Sequence, residues 1–205
     1  MEFNVADMIE WFNKANEKIQ ENKAYLTSLD QPIGDGDHGI NMARGFQEVA
    51  GKLSENDYTD ISAILKEVAM TLLAKVGGAS GPLYGTVFLK MSMTLKGRDV
   101  VDGTAFTKGL EDALAGVKQR GKAETGEKTL VDVWQAVVEY FQAGNITADG
   151  LVEVAARAKE RTKDMVATKG RAAYFKEKSK GHIDPGSASS YLVFEALADV
   201  MKEKH

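Results

Sequence analysis

The amino-acid sequence predicts an all-α fold, an antiparallel bundle or barrel of about eight helices. Apolar residues recur at the three- and four-residue spacing of a helix along almost the whole chain, as at Met8, Phe12, Ala15 and Ile19. The sequence offers no convincing strand pattern. Glycine-bearing connections such as "GDGDHG", "GGASGP" and "GHIDPGS" separate the apolar stripes. We therefore expect neighbouring helices to run antiparallel, with loops at one end that can converge on a site.

The predicted helices follow from the apolar stripes, because each stripe lies on one helix face and that face packs on the core. Pro82 stands where the fourth helix can begin, and Asp184-Pro185-Gly186 makes a tight turn before the last helix. No linker composition divides the chain, so residues 1–205 are expected to form a single domain. In order, the stripes run over Met8–Ile19, Ile40–Leu53, Ile61–Leu72, Leu83–Leu95, Phe106–Val117, Leu130–Phe141, Leu151–Ala158 and Leu192–Val200.

Composition excludes several functional classes. The formal net charge is −4, and the basic residues are spread along the chain, which argues against non-specific binding to nucleic acid. The chain has no cysteine, so it has no disulfide, thiolate metal site or cysteine nucleophile. The N-terminus lacks the basic start and apolar run of a signal peptide, and no segment approaches the length of a membrane span. We expect a soluble cytoplasmic protein without a membrane partner.

The segment "LDQPIGDGDHGINMARGF" places Asp30, Asp35 and Asp37 among glycines just before a predicted helix start. Carboxylates this close in sequence repel one another unless a cation or a set of donors compensates them. Hard oxygen donors on a tight glycine turn suit Mg²⁺. An EF-hand is excluded, because its twelfth loop position would be Phe46 rather than a bidentate glutamate. The remaining alternative is an Asx turn in which Asp37 caps the helix.

A second glycine-rich segment, "VGGASGPLYG", precedes the helix that contains Pro82. Free backbone N–H groups at a helix start bind phosphate, because they point outward and the helix dipole favours negative charge. An ordinary N-cap by Ser80 is the competing interpretation. The pairing with an acidic, metal-type loop favours phosphate.

Two further connections carry polar residues that could serve a site. "GVKQRGKA" and "GKAETGEKT" approach the spacing of a P-loop but fail it, and the segment from Gly121 to Thr129 fits either a mobile lid or an ordinary surface loop. In "KGRAAYFKEKSKGHIDPGS", Arg171 is able to contact phosphate with two N–H groups. His182 in the same segment is expected to be structural.

Together these four motifs closely resemble the nucleotide-binding L subunit of dihydroxyacetone kinases, in order and over nearly the whole chain. The resemblance implies an eight-helix antiparallel barrel whose acidic loop holds Mg²⁺, two ions in that family, against the phosphates of ADP or ATP. The implied metal ligands are Asp30, Asp35 and Asp37. The implied nucleotide contacts are His38, Gly39, Ile40, Asn41, Ala79, Ser80 and Arg171, with pocket walls from Gly121, Leu130, Asp184, Pro185 and Gly186.

The resemblance also implies partners and a mode of action. In one form of the family this domain is fused behind a dihydroxyacetone-binding domain and exchanges ADP for ATP. In the phosphotransferase-system form it is a separate subunit whose retained ADP is recharged by a phosphohistidine M subunit and whose ATP phosphorylates dihydroxyacetone on a K subunit. Because this chain contains only the L region, we expect the second form, which makes the chain a phosphoenolpyruvate-dependent transferase subunit that supplies no catalytic side chain.

Three alternatives stay open at this point. A subunit that exchanges free ATP, for dihydroxyacetone or a related ketose, would use the same motifs. A nucleotide-loaded module could instead bind a transcriptional regulator. The third alternative is an inert helical bundle, but it leaves the carboxylate cluster unexplained.

Overall fold

Helices dominate the part of the chain that the computed structural model describes, residues 1–204. Seven of the eight predicted stripes lie within α-helices, and the eighth, Leu83–Leu95, ends one residue beyond its helix, which confirms the all-α class. Two 3₁₀ segments, Thr162–Asp164 and Arg171–Ser179, lie between the last two helices. The α-helices of the described residues are α1 Val5–Glu21, α2 Lys23–Asp30, α3 His38–Glu55, α4 Ile61–Lys75, α5 Ser80–Thr94, α6 Gly103–Gly121, α7 Leu130–Gln142, α8 Ala148–Arg161 and α9 Pro185–Glu203.

The helix that the sequence did not reveal is α2. It has eight residues, of which only Leu26 is buried, and one buried position cannot produce an apolar stripe. Its last residue is Asp30, so the first carboxylate of the acidic segment leaves from a helix end rather than from a loop. This placement corrects the expectation that all three aspartates lie on one short turn.

Two short strands are a second departure from the prediction. β1, Glu2–Asn4, pairs antiparallel with β2, Val100–Asp102, and the paired residues Phe3 and Val101 are both fully buried. Three residues are too few for a period of two to be recognised in a sequence. The pair ties the N-terminus to the start of α6 and takes no part in the site.

Helix α9 is central to the packing. It contacts α1, α2, α3, α7 and α8, and its buried face includes both apolar residues and serines. Around it, aromatic side chains form a continuous core, with ring centroids 6.3 Å apart between Phe88 and Trp134 and 4.6 Å apart between Trp134 and Phe194. The Trp134 indole N–H donates to Ser190 Oγ at 3.0 Å, so a polar group of α9 is satisfied inside the core. None of the described helices is long and apolar enough to cross a membrane.

Candidate phosphate and metal site

One cleft collects the loops that the sequence singled out. It has a volume of about 170 Å³ and lies where α3, α5, α7 and α9 begin. Side chains of Thr129 and Asp184 cap α7 and α9. The starts of α3 and α5 have no side-chain bond from their N-cap residues, and their outward-pointing N–H groups make the cleft suited to an anion. The predicted site residues that line it are Asp30, Asp35, Asp37, His38, Asn41, Ala79, Ser80, Leu130, Arg171, Asp184, Pro185 and Gly186.

The three aspartates form a compact cluster. Asp30, Asp35 and Asp37 each offer a carboxylate oxygen, and these oxygens lie within 4.8 Å of one another. Burial raises the pKa of Asp30, and the charges of Asp35 and Asp37 add to the rise. A carboxylate cluster that is costly to ionise is stabilised by a divalent cation. Hard oxygen ligands at this spacing fit Mg²⁺, which binds through one or two carboxylates and completes its shell with water or phosphate oxygens.

The carboxylate of Asp30 organises the turn as well. Its Oδ2 accepts hydrogen bonds from the backbone N–H groups of Asp37, at 2.9 Å, and His38, at 3.1 Å. A Cβ on Gly34 would lie 1.9 Å from Asp30 Oδ1, so the chain passes this carboxylate more closely than a side chain allows. Gly36 adopts a positive φ of 74° in the same turn. These contacts explain why glycines alternate with the aspartates.

The helix-cap alternatives are wrong for both loops. Asp37 occupies the N-cap position of α3, yet its side chain makes no capping hydrogen bond, and Asp30 satisfies the helix start instead. Ser80 is the first residue of α5 rather than its cap, and the cap residue Ala79 has no side-chain acceptor. Because Asp30 takes the His38 N–H, the other first-turn N–H groups of α3 and those of α5 are left for a ligand.

His38 connects the two helix starts. Its Nε2 lies 2.9 Å from Ser189 Oγ, and its Nδ1 lies 3.3 Å from Ser80 Oγ. Burial lowers the pKa of His38 to about 4, so the ring is neutral near pH 7. Tyr84 and Ser190 extend this buried chain of hydroxyl groups towards Trp134. His38 thus contributes a fixed polar surface to the cleft rather than a positive charge.

Positive charge at the cleft comes from basic side chains beyond the acidic turn. Arg171 Nη1 lies 2.9 Å from Asp35 Oδ2 while most of the Arg171 side chain stays exposed. Because Arg171 begins the 3₁₀ segment Arg171–Ser179, this ion pair joins that segment to the acidic turn. The same guanidinium is within the cleft lining and is able to contact an anion there.

The turn before α9 forms the opposite wall. The Asp184 carboxylate accepts from the Ser187 backbone N–H at 2.7 Å and so caps α9, with Pro185 as the first helical residue. Burial raises the pKa of Asp184 to about 7. A Cβ on Gly186 would lie 3.4 Å from Leu130 Cβ, so α7 and α9 approach closely at this wall.

A second, more apolar pocket of about 310 Å³ adjoins the cleft. The two share six lining residues, Ala79, Leu83, Thr129, Leu130, Lys169 and Gly170. Gly121 lines this second pocket and not the acidic cleft. A ligand with a charged end and an apolar, planar end would find both surfaces side by side.

Two predicted contact residues, Gly39 and Ile40, line neither pocket. Ile40 is 47% exposed, and Gly39 is packed against α2, where a Cβ would lie 2.0 Å from the Lys23 carbonyl oxygen. Their backbone N–H groups in the first turn of α3 are what they can offer a ligand.

The residues that line the cleft without having been predicted as site residues include Lys128, Thr129, Lys169 and Gly170. The sequence indicates a lid or a surface loop from Gly121 to Thr129, and only Gly121 of this segment is implied as a pocket wall. Lys128 is instead buried, and its backbone adopts a left-handed φ of 62°. This conformation is uncommon for lysine, so the sequence does not predict it.

Comparison with known proteins supplies the family. The model of the DAK2 domain matches residues 32–199. The chain is 49% identical, over 94% of its length and 96% of the relative's, to the ADP-binding subunit of a phosphotransferase-system-dependent dihydroxyacetone kinase of Lactococcus lactis. It is 39% identical, over 99% of its length and 100% of the relative's, to the ADP-binding subunit of a phosphoenolpyruvate-dependent dihydroxyacetone kinase of Escherichia coli.

A solved structure agrees with these sequence matches. The dihydroxyacetone kinase of C. freundii in complex with AMP-PNP and Mg²⁺ superposes with a TM-score of 0.75 at 25% identity, over 95% of this chain. The chain spans about a third of that longer kinase, 33% of its length. Fold and site thus define a helical domain with an acidic cleft at its helix starts. The chain belongs to the DAK2 domain family, and it resembles the ADP-binding subunits of dihydroxyacetone kinases over nearly its full length.

Proposed function

We propose that this chain is the nucleotide-binding subunit of a phosphoenolpyruvate-dependent dihydroxyacetone kinase. It holds ADP with Mg²⁺, a phosphohistidine M subunit phosphorylates that ADP, and the ATP formed gives its γ-phosphate to dihydroxyacetone on a K subunit. The names of the relatives at 49% and 39% identity support the ADP-binding role. The partner subunits and the order of transfer are part of the proposal.

One observation carries the proposal: three carboxylates within 4.8 Å of one another lie in the same cleft as the first turns of α3 and α5. Carboxylates and an anion bound at the same helix starts repel each other unless a cation lies between them. A phosphate-bound Mg²⁺ satisfies both. A nucleoside diphosphate is the class of ligand that combines such phosphates with a planar base.

Each part of the cleft then has a role. Asp35 and Asp37, with the free Oδ1 of Asp30, hold the metal, while Oδ2 of Asp30 stays bonded to the turn. When bound, Mg²⁺ neutralises phosphate charge and so lowers the barrier to phosphoryl transfer. Ser80 and the backbone N–H groups of residues 39–40 and 79–80 orient the phosphates, and Arg171 adds a charged contact. The N–H groups of His38 and Asn41 already donate to Asp30 and to the Asp37 carbonyl oxygen, so these two residues contribute by lining the cleft.

The apolar pocket beside the cleft suits the base of the nucleotide. Leu83, Leu130, Val117 and Gly121 line it, and Leu130 also borders the acidic cleft. Apolar and small residues of this kind pack on the faces of an adenine ring. A nucleotide laid across both surfaces has its phosphates at the carboxylates and its base under α6 and α7.

This chain supplies no general base in the proposed reaction. His38 is buried and already bonded to two serines, so it is not free to take a proton from an acceptor hydroxyl. Catalysis by this subunit therefore consists of positioning and charge stabilisation. The group that activates dihydroxyacetone belongs to the partner that binds it.

The test measures both retention and transfer. Protein is purified with Mg²⁺ present, dialysed and passed through gel filtration, and nucleotide released by heat is identified by mass spectrometry. Separately, the protein is mixed with K and M subunits and a phosphoenolpyruvate-driven phosphate supply, and dihydroxyacetone phosphate is measured. Asp35→Asn removes a metal ligand, and Asp57→Asn, an exposed residue between α3 and α4, is the matched control.

We expect stoichiometric ADP, transfer that needs the M subunit, and loss of transfer by orders of magnitude for Asp35→Asn but not for Asp57→Asn. Near-normal transfer by folded Asp35→Asn would refute the metal assignment. A second candidate is a subunit that exchanges free ATP, which is favoured by the match to part of a longer kinase that was solved with AMP-PNP. Nucleotide lost on dialysis, with steady turnover on free ATP, would select that candidate.

A further inference from the structure

A buried ammonium group lies behind one wall of the cleft. Lys128 is 1% exposed, and its backbone adopts a positive φ of 62° at the end of the connection from α6 to α7. Lysine is rarely buried, because its charge loses the stabilisation of water unless nearby groups replace it. A strained and buried lysine therefore needs specific partners.

Those partners come from two separate segments. Lys128 Nζ donates to the carbonyl oxygen of Thr162, at the end of α8, and to that of His182, in the connection that leads to α9. Desolvation lowers the pKa of Lys128, whereas the negative charges of Asp184, Asp132 and Asp164 act in the opposite direction. The ammonium is thus hydrogen-bonded to two carbonyl oxygens, and the charges of three acidic residues favour its protonated form.

The segments that Lys128 joins are those that build the nucleotide wall. The Asp184 backbone N–H donates to Thr162 Oγ1 at 3.0 Å, and Ser187 Oγ donates to the Thr129 carbonyl oxygen at 2.7 Å. Lys128 is next to Thr129, and both line the cleft together with Asp184. One side chain consequently connects the α7 start, the α8 end and the α9 start.

We propose that Lys128 is a positioning residue that fixes the Asp184-Pro185-Gly186 turn for nucleotide binding. The inference rests on the proposed function, since it assumes that ADP occupies the cleft. The charge is essential to this role: two carbonyl acceptors 20 residues apart in sequence are drawn to one ammonium, and a neutral side chain of the same length has no donor to hold them. The turn would then lose its fixed distance from Leu130 and from the acidic cluster.

The absence of cysteine from the chain allows a chemical test at this one position. Lys128→Cys is alkylated with bromoethylamine in urea and refolded, so that the thiolate displaces bromide and S-aminoethylcysteine restores an ammonium at the end of a side chain of lysine length. Alkylation with iodopropane gives a side chain of the same length without the charge. Lys163→Cys, at an exposed position next to Thr162, receives both treatments as the control.

The primary measurement is the dissociation constant of ADP at fixed Mg²⁺ by titration calorimetry. Circular dichroism confirms that each protein is helical, and hydrogen exchange follows the amides of residues 181–187. We expect the unmodified and propylated Lys128→Cys proteins to bind ADP with a dissociation constant at least about tenfold higher than that of the wild type. Losses of this size are typical when a residue that holds a binding group in position is removed. We expect the aminoethylated protein to bind within about threefold of the refolded wild type, with slower exchange in residues 181–187.

Two results would overturn the inference. The first is folded Lys128→Cys that binds ADP as tightly as the wild type, which would make Lys128 a residue of the fold alone. The second is weak binding that aminoethylation does not restore. If Lys128→Cys does not fold, Lys128→Met, which keeps the aliphatic stem, undergoes the same titration, and unchanged affinity there is equally decisive. Wild-type protein that fails to bind ADP would refute the proposed function and is recognised before any variant is made.

Discussion

Replacing Asp30 by asparagine should separate two effects of the acidic cluster: the charge repulsion that lowers the free energy of unfolding, and the metal binding that the cluster provides. In the absence of metal, Asp30 bears a carboxylate that is half buried and close to two others, and burial is the largest cause of its raised pKa. A folded protein that disfavours the charge gains when the charge is removed. Asparagine keeps the shape of the side chain and an oxygen that can accept from the Asp37 and His38 N–H groups.

The size of the effect follows from the contacts. At 4.8 Å, the upper limit within the cluster, each like-charge pair costs about 1 kcal/mol under water-like screening and about 3 kcal/mol at an effective dielectric constant of about 20. Against this relief, the two N–H bonds to Asp30 change from charge-assisted to neutral, which loses about 1 kcal/mol each. Asp30 faces two such charges, so the net change in EDTA ranges from about zero under water-like screening to a gain of about 4 kcal/mol at the lower dielectric constant.

With Mg²⁺ and ADP bound, the wild type should gain more stability than Asp30→Asn. A ligand at a hundred times its dissociation constant stabilises the wild type by about 2.7 kcal/mol, and a variant that cannot hold the metal gains little of this. The assay is urea unfolding followed by circular dichroism, in EDTA and with Mg²⁺ and ADP, with Asp57→Asn as the control for charge alone. The reasoning is refuted if Asp30→Asn is clearly less stable than the wild type in EDTA, or if it gains the full stabilisation from Mg²⁺ and ADP.

Three further results are expected. Gly34→Ala should weaken ADP binding in the presence of Mg²⁺ by about tenfold or more in calorimetry, because its Cβ would lie 1.9 Å from Asp30 Oδ1 and displace that carboxylate; unchanged affinity would contradict the close approach. Gly51→Ala, in α3 with open space around its Cβ, should keep ADP affinity and raise the free energy of unfolding by about 0.5–1 kcal/mol, and a loss of stability would contradict it. Burial raises the pKa of Asp184 from 3.8 to about 7, so the folded state binds this proton more tightly and loses that stability as pH rises through 7. In EDTA, the wild type should lose about 2 kcal/mol relative to Asp184→Asn between about pH 5 and about pH 8, and equal pH dependence of the two proteins would count against a buried, neutral Asp184.

Much of this protein could be predicted because its signals are local. A helix of four or five turns repeats its apolar spacing often enough to be recognised, and each of the eight stripes coincides with a helix to within one residue. The acidic and glycine loops were recognisable for the same reason, since Asp30, Asp35 and Asp37 and their glycines lie within eight residues of chain. The features that escaped were short: α2 buries only Leu26, and β1 and β2 have three residues each.

The sequence by itself determined the helices, the carboxylate cluster and the glycine turns, because spacing along the chain sets which side chains share a helix face or a turn. Tertiary structure alone decided how these parts meet. It placed Asp30, not Asp37, as the acceptor at the start of α3, and it brought Lys128 to the carbonyl oxygens of Thr162 and His182. The Lys128 contacts join residues 34 and 54 positions apart, and they form only because burying the apolar faces of α7, α8 and α9 together brings those chain segments into hydrogen-bond distance.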